Sequence, residues 1–531
     1  MVGLLLPPLI LLVDVGLLLA IAAVRRPAAR WVRWVAAAGV GAALVLLLTG
    51  GKAIPYRMTP WSSMSILTPS LTLQRSETGR LLGLSLTALV LASILAAGRR
   101  QEAEGSAVNN GVAWALLLAT LAAGLVATMP ANILTLALAW TVLDSALAVA
   151  WLYPWFRGEQ FPSKHRALTS WGLGAAGTLF LWSATLPLQA HYAFQSTSSL
   201  VTEGWVGMAL TLAIILRLAP LHFNLPRPGT PQQSASTTSL HIIPTAAGIG
   251  LLAQLSNWTA LPLFWRPLLS TLILSGLVGS SLLAWFSKEA RHAAGWILTG
   301  QVSVTVLVGL WVGPEAALAE GLVLILAGGL LGLLASLETV SVENKIALAL
   351  GAAALAGLPL TWGSDGRLAL YQRWLADGLG LYLVLAAGAY LLLLAVAGRL
   401  LLRPHTPAIP LSKRIAAGMG LGLLALGLLF RSGPLVQANI LVWLALLLPI
   451  AGAVLLTWGA DQLRPLQEQI ASWLQLSLSL NWLFRLLGNT LRWVGRAVHA
   501  AHQVIEGEGA LLWALILLAM GWLLLASRSP G

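Results

Sequence analysis

Seven ionisable side chains fall within apolar stretches long enough to cross a membrane, and these are the residues whose types could do chemistry. They are Asp14, Asp144, Arg217, His241, Glu320, Asp365 and Arg367. A charged residue at the centre of a membrane helix costs about 2.5–3.5 kcal/mol on insertion scales, so such residues usually mark ion paths. The chemistry that this set suits is reversible protonation of acids and imidazole in the field of fixed charges.

Two of these residues, Asp144 and His241, can gain and lose a proton, whereas Arg217 cannot. His241 is the best suited to reversible protonation, because its unperturbed pKa is about 6.5; alternatively, it is a histidine hydrogen-bonded to a broken helix. Asp144 is either a proton-carrying acid or the counter-charge of Arg217. Arginine stays protonated in proteins, so Arg217 can only set the field that tunes a neighbouring acid or histidine. The same limit holds for Arg367.

The sequence around the remaining acids gives less indication of their roles. Glu320 is an isolated acid in a segment rich in alanine, glycine and leucine, and Asp14 stands alone in the first apolar segment. Asp365 lies two residues before Arg367, where it either caps a helix or neutralises the local charge.

Two apolar segments are interrupted close to these charges. One contains Gly357, Pro359 and Gly363 ahead of Arg367, and the other contains Pro220 just after Arg217. Proline removes a backbone donor and clashes with the preceding turn, so both helices should break there. An unwound backbone at membrane depth is tolerated only where protein or a water-filled cavity satisfies it. The two breaks therefore indicate the two halves of an ion path.

Composition identifies the elements that must position these residues. Of 531 residues, 58% are hydrophobic and 9% are charged, against about 25% charged in soluble domains. The sequence predicts an all-α polytopic membrane protein with about sixteen transmembrane helices, each of about 17–25 residues. They fall near 3–24, 34–50, 80–98, 110–128, 131–153, 167–188, 201–222, 236–255, 266–286, 293–312, 316–337, 346–371, 379–398, 414–430, 437–458 and 509–526.

Charge and residue counts restrict the chemistry. The net charge of +13 fits positively charged cytoplasmic loops, so no nucleic-acid partner is predicted. The chain has no cysteine, which excludes disulfides and cysteine-ligated clusters. Its eight histidines lack the spacing of a metal site within a helix. No metal or cofactor site is therefore predicted.

A different pattern occupies residues from about 461 to 505. Polar residues recur at steps of 4, 3, 4, 3 and 4, which places them in one stripe on a helix: Arg485, Asn489, Arg492, Arg496, His499 and Gln503. This pattern predicts a lateral amphipathic helix along the membrane surface or against other helices. It is either a generic interfacial helix or a brace that holds other spans or a partner subunit.

The interrupted segments resemble a known family. The run from Gly357 to Arg367 resembles the G-I-P-L-T-x-G-F-x-G-K signature of the antiporter-like membrane subunits of respiratory complex I and of multi-subunit sodium/proton (Mrp) antiporters. The stretches 220–226 and 239–241 resemble the family's P-L-H-x-W-L-P and S-A-L-x-H motifs. The resemblance covers about residues 80–400, and the sixteen spans with a lateral helix resemble chain 5 of NADH–quinone oxidoreductase.

The resemblance implies an architecture of two inverted five-helix repeats, spans 4–8 and 9–13, with discontinuous helices 7 and 12. Interrupted helices of this kind mark the midplane site of a transporter. The implied domains are 1–109 (helices 1–3), 110–256 (first repeat), 257–400 (second repeat) and 401–531 (helices 14–16 with the lateral helix). The implied proton path contains Asp144, Arg217, His241, Glu320 and Arg367.

The sequence departs from the family at several of these positions. Thr141 follows Trp140 where the family has a glutamate, so that the nearest acid is Asp144. Ile215 occupies the position of the seventh-span lysine, and Arg217 lies two residues on, about 200° round a helix. Arg367 occupies the position of the twelfth-span lysine.

We expect a proton-translocating, antiporter-like subunit of a complex I-like NADH/quinone oxidoreductase or a related ion-translocating complex. It would lie in the cell (inner) membrane, in contact with lipid and with other membrane subunits of a respiratory or antiporter complex. Any redox chemistry would belong to those partners. The alternatives are a transport-inactive structural membrane subunit, and a stand-alone cation/proton or bicarbonate-linked transporter.

Overall fold

The structure is a computed structural model that describes most of the chain. The described residues are 2–23, 29–50, 56–58, 71–96, 107–156, 164–192, 204–218, 235–255, 265–287, 289–336, 342–359, 361–402, 411–429, 439–459, 462 and 496. The chain forms two units, Met1–Ala460 and Asp461–Gly531. Pro220, the last predicted span and almost all of the predicted lateral helix lie outside the described residues.

Helices make up nearly all of the described chain. Their bounds are α1 (Val2–Ala23), α2 (Ala29–Thr49), α3 (Glu77–Ala96), α4 (Ala107–Ala127), α5 (Ile133–Phe156), α6 (Lys164–Tyr192), α7 (Gly204–Leu218), α8 (Ala235–Gln254), α9 (Trp265–Phe286), α10 (Ala290–Trp311), α11 (Pro314–Ser336), α12 (Val342–Leu355), α13 (Gly363–Ala376), α14 (Gly380–Leu401), α15 (Leu411–Leu429) and α16 (Ile440–Trp458). Within the described ranges, nine helices are long and apolar enough to cross a membrane, and four more are shorter apolar helices. This architecture is that of a multi-pass membrane protein.

One short sheet corrects the expectation of a purely helical chain. Strands β1 (Tyr56–Met58) and β2 (Leu71–Leu73) pair antiparallel within the predicted long loop. β2 is also joined to the turn between α4 and α5, because the Thr72 carbonyl accepts from the Ala131 N–H at 2.9 Å. The strands are too short for a periodic sequence pattern, and they satisfy backbone groups of a segment that hydropathy alone assigns to a loop.

The helices differ in how much of their surface is covered. Over their most apolar windows, α10 and α11 are 89% and 83% buried, whereas α16 is 22% buried. A helix that is apolar on all sides either occupies the interior or faces lipid. α10 and α11 therefore form the core of the first unit, while α1, α2, α14 and α16 expose large apolar side chains such as Val13, Leu381 and Leu455.

The chain leaves the helical conformation between α12 and α13, in the segment that contains Gly357 and Pro359. Gly357 has φ +67°, and its N–H donates to the Ala354 carbonyl at 3.0 Å. The Leu358 N–H donates to the Ala353 carbonyl at 3.1 Å. These two bonds and the left-handed glycine form a Schellman motif, and the following proline prevents the helix from continuing.

The second helix of this segment begins at Gly363, which was predicted as part of the break. Asp365 lies in its first turn, where a carboxylate is favoured by the partial positive charge of the N-terminal N–H groups. Whether Asp365 caps this helix or neutralises the local charge stays a prediction.

Replacing Gly357 by alanine should destabilise the protein. An alanine at positive φ costs about 1–2 kcal/mol, and its Cβ would lie 3.0 Å from Cδ of Arg367. Gly351→Ala, in the interior of α12, is the matched control, since its Cβ would make only ordinary contacts of 3.8 Å or more. Thermal unfolding of the purified variants should show a lower midpoint for Gly357→Ala alone; equal midpoints would contradict the assignment.

Candidate functional site

A buried ion pair joins α11 to α13. Nε of Arg367 donates to Oε1 of Glu320 at 2.8 Å, and Nη2 of Arg367 donates to Oε2 of Glu320 at 3.0 Å. Both side chains are almost fully buried, at 1% and 0% exposure. Two parallel N–H···O bonds of this kind are the strongest and most directional arrangement of an arginine and a carboxylate.

Two uncharged side chains complete this first cluster. Gln301 on α10 donates to Oε2 of Glu320 at 2.6 Å, and its Oε1 accepts from Tyr390 on α14 at 2.8 Å and from Arg367 at 3.2 Å. The ring centroid of Tyr390 lies 4.4 Å from Cζ of Arg367. Gln301 and Tyr390 therefore hold both members of the ion pair in one geometry.

The broken helix contributes the last acceptor of this cluster. Nη1 of Arg367 donates to the Leu355 carbonyl in the last turn of α12. Carbonyls at a helix C-terminus lack partners within the helix and attract a cation. All three guanidinium nitrogens of Arg367 thus have an acceptor.

These contacts give Glu320 a partner from another helix. Glu320 is an isolated acid in its own segment, and it is the main counter-charge of Arg367. Arg367 reaches Glu320, 47 residues away in sequence, because α11 and α13 pack together. Sequence spacing within one helix could not reveal this pair.

A second buried ion pair joins α5 to α7. Nη1 of Arg217 donates to Oδ1 of Asp144, and the hydroxyl of Thr178 on α6 donates to Oδ2 of Asp144 at 2.5 Å. Arg217 is fully buried and Asp144 is 6% exposed. Of the two roles considered for Asp144, its position as counter-charge to Arg217 is the one seen in the contacts; a proton-carrying role remains a prediction.

Small residues let this second cluster close around the arginine. A Cβ at Gly174 on α6 would lie 3.2 Å from Nη1 of Arg217 and 3.4 Å from Oδ1 of Asp144. A Cβ at Gly248 on α8 would lie 3.2 Å from Cγ of Arg217. On the remaining side, the ring centroid of Trp140 lies 4.7 Å from Cζ of Arg217, within the range of cation–π attraction.

His241 lies on α8, which packs against both α7 and α11. Its ring is 4.7 Å from that of Trp151 on α5, centroid to centroid. Both ring nitrogens are buried and have no hydrogen-bond partner among the described residues. The alternative of a histidine hydrogen-bonded to a broken helix stays a prediction, because the break after α7 lies outside the described residues.

Residue spacing along α5 and α8 indicates how far His241 lies from the Asp144–Arg217 pair. Trp151, which contacts His241, lies seven residues beyond Asp144 on α5, and Gly248, which contacts Arg217, lies seven residues beyond His241 on α8. Seven residues are two helical turns, or about 10 Å. His241 and Asp144 thus line one region, about two helical turns apart along α5 and α8.

Asp14 stands apart from these clusters. Its carboxyl group packs at Gly39 between α1 and α2, and Oδ2 has no hydrogen-bond partner among the described residues. Asp14 is therefore buried at the N-terminal pair of helices rather than at the candidate site. No group of three or more side chains suited to metal binding occurs in the described part of the chain.

Sequence reasoning missed Gln301, Tyr390 and Thr178 because it considered only acids, histidine and arginine inside the predicted spans. An amide, a phenol and a hydroxyl inside apolar helices also need partners. Gln301 offered the clearest signal, since a glutamine is rare at the centre of a buried membrane helix.

The fold and this site define a polytopic membrane protein with two buried arginine–carboxylate pairs. It is similar to a chain of the Mrp complex from Dietzia sp. DQ12-45-1b, with TM-score 0.67 and 15% identity, over 98% of this chain and 63% of that one. The chain thus spans less than two thirds of the length of that Mrp chain. No family model and no curated protein matches the sequence.

Two further solved structures share the fold. One is an archaeal respiratory membrane complex, the membrane-bound sulfane sulfur reductase, with TM-score 0.64 and 14% identity over 97% of this chain and 99% of that one. The other is respiratory complex I from Thermus thermophilus, with TM-score 0.58 and 21% identity over 80% and 97%. The resemblance predicted from the motifs is confirmed at the level of the fold, and the sequence is divergent.

Breaking the Glu320–Arg367 pair should be strongly destabilising. Glu320→Gln leaves a buried uncompensated charge, which costs about 3–5 kcal/mol. The double variant Glu320→Gln, Arg367→Met should recover at least about 1 kcal/mol of that loss, because no charge then remains buried. Unfolding in a graded denaturant series measures both free energies.

The exposed pair Arg373–Asp377 is the control for this experiment. Its nitrogen–oxygen distance is 3.1 Å and its side chains are 57% and 35% exposed. Arg373→Ala should cost less than about 1 kcal/mol. If the double variant is no more stable than Glu320→Gln, the loss of stability in Glu320→Gln does not come from the unpaired charge of Arg367.

Proposed function

We propose that the chain is a proton-translocating, antiporter-like membrane subunit of a complex I-like or related ion-translocating complex. The observation that carries this proposal is the buried Asp144–Arg217 pair with His241 two helical turns away. A protein that needed only stability could replace such a pair by apolar side chains at little cost. Retained intramembrane charges are expected where charge has to move.

The proposed architecture has two inverted repeats, formed by α4–α8 and by α9–α14, with α12 and α13 as the two halves of the twelfth membrane span. The seventh span would be broken after α7, at Pro220. The Schellman motif at Gly357 supports the break in the twelfth span. It ends α12, and Arg367 donates to a carbonyl at that end. Domain sections at 1–109, 110–256, 257–400 and 401–531 follow from this arrangement.

In the proposed mechanism, Asp144 and His241 hold the proton in turn. Arg217 keeps its charge throughout, so protonation of Asp144 weakens the pair and deprotonation restores it. Thr178 holds the second oxygen of Asp144 and orients the carboxyl group. The distance of about 10 Å to His241 has to be crossed by a chain of water molecules, since proton transfer needs hydrogen-bond contact at each step.

Glu320 and Arg367 have a different place in the mechanism. Arg367 has acceptors on all three nitrogens, and both oxygens of Glu320 are bonded. We propose that this cluster acts as a fixed charge pair on the second half of the path. Protonation of Glu320 would disrupt several buried bonds at once, so it is a poor proton carrier.

The subunit is proposed to work in the cell (inner) membrane with other membrane subunits of a respiratory or antiporter complex. The matched structures are multi-subunit complexes by their descriptions. The exposed apolar faces of α1, α2, α14 and α16 are suited to lipid and to neighbouring membrane helices. Redox chemistry is assigned to partner subunits.

A transport-inactive structural subunit is the second candidate. The observation that favours it is the fully hydrogen-bonded Gln301–Glu320–Arg367–Tyr390 cluster, which stabilises one conformation. This candidate predicts that variants at Asp144 and His241 change stability without changing proton movement in the assembled complex.

Proton flux should collapse when both titrating groups are replaced. In membrane vesicles containing the assembled complex, the double variant Asp144→Asn, His241→Ala should lose about a hundredfold or more of the proton flux. The single variant His241→Gln tests whether lost flux comes from a lost titrating group rather than from lost structure. It breaks no ring hydrogen bond among the described residues, and it leaves the Asp144–Arg217 pair intact.

Asp377→Asn, which removes a carboxylate from an exposed pair, is the matched control and should retain the flux. The thermal midpoint and the subunit content of each complex must be measured beside the flux. Wild-type flux in the double variant would overturn the proposed function and favour the structural candidate.

A further inference from the structure

Arg217 is only partly satisfied by its surroundings. Nη1 bonds Asp144, but Nε and Nη2 are buried and have no acceptor among the described residues. Arg367, equally buried, has acceptors on all three nitrogens. An arginine cannot lose its proton, so the unused edge of Arg217 has to find an acceptor.

Trp140, which contacts Arg217, also has a buried N–H group that lacks an acceptor among the described residues. Trp140 is fully buried, and its indole Nε1 has no acceptor within the described part of the chain. Its ring lies 4.7 Å from Cζ of Arg217. The unpartnered groups of the Arg217–Trp140 cluster are therefore all N–H donors, which excludes a cation and selects an electron-rich acceptor.

The surroundings limit the size of that acceptor. A Cβ at Gly174 would lie 3.2 Å from Nη1 of Arg217, and a Cβ at Gly248 would lie 3.2 Å from its Cγ. Nε and Nη2 themselves are buried, with almost no exposed surface. A cluster packed this closely is suited to a monatomic ion or a small planar one, and it is not suited to an organic anion.

The charge state of Asp144 decides between water and an ion. While Asp144 is ionised, the pair is neutral and a water molecule suffices. When Asp144 is protonated, a buried guanidinium remains without counter-charge, and in a low-dielectric interior it attracts an anion strongly. Arg217 and Thr178 are the charged and hydroxyl side chains that face Asp144 in the described structure.

We propose that the free edge of Arg217, together with Trp140, binds a small monovalent inorganic anion such as chloride when Asp144 carries a proton. The inference rests on the proposed function only in that Asp144 titrates. Its consequence is that the proton and the anion bind together, so that occupation of the site by both leaves the buried charge unchanged. Each ligand then raises the affinity for the other by the same factor.

The test uses the purified full chain with its native partners in detergent. Asp144→Asn stands in for the protonated carboxyl group. Its thermal midpoint should rise with sodium chloride or bromide and saturate, because a ligand that binds only the folded state stabilises it. Sodium gluconate at equal ionic strength should have no such effect. The wild type, titrated in acid medium, should respond in the same direction but less.

The double variant Asp144→Asn, Arg217→Gln is the matched control, because it removes both charges and leaves no unpaired ion. It should show no difference between chloride and gluconate. Equal midpoints in the two salts for both Asp144→Asn and the wild type would mean that water alone occupies the site, which overturns the proposal. A chloride response retained in the double variant would place the anion elsewhere and overturn it equally. If Asp144→Asn does not fold, the wild type and the double variant decide alone.

Proton flux through wild-type vesicles separates this proposal from the proposed function. Flux without any halide effect on the midpoint refutes the anion site and leaves the proposed function standing. A halide effect that depends on Arg217, without proton flux, supports the anion site and refutes the proposed function.

Discussion

The structure depends on one constraint, which is that a buried arginine keeps its charge. A lysine in the same place could release its proton and become neutral, whereas Arg217 and Arg367 cannot. Each of them must therefore meet a carboxylate brought from another helix. That requirement is met where Asp144 on α5 reaches Arg217 on α7 and where α11 meets α13. The break at Gly357 adds the end carbonyl of Leu355 as a further acceptor for Arg367.

The two arginines differ in how many of their nitrogens have an acceptor, and this difference favours different roles for the two pairs. Around Arg367, an amide, a phenol and a backbone carbonyl satisfy all the donors, so the pair behaves as a rigid element. Around Arg217, Asp144 accepts from one nitrogen, and Nε and Nη2 have no acceptor among the described residues. A fully bonded network fixes geometry, whereas an unpaired buried donor is costly until it finds an acceptor. This difference is the reason for proposing that the proton path uses the half of the molecule that contains Asp144.

α8 connects the two halves because it packs against both α7 and α11. Gly248 faces Arg217, and the next residue, Ile249, faces Gly321 beside Glu320. His241 lies two turns away on the same helix, and its buried ring nitrogens have no hydrogen-bond partner in the described part of the chain. Small residues at these crossings let the helices approach closely, as is usual in membrane bundles.

The sequence by itself determined the class of protein, the positions of most helices and the break near Gly357. Apolar length, the lack of charge, and the glycine–proline pattern are local properties, so they can be recognised without any tertiary contact. It also singled out Asp144, Arg217, Glu320 and Arg367, because charge in an apolar segment is conspicuous. Only the tertiary structure decided that Glu320 is the partner of Arg367, that Gln301 and Tyr390 complete their cluster, and that β1 and β2 pair. Those contacts join residues far apart in the chain, and the packing of helices, rather than any spacing along one helix, brings them together.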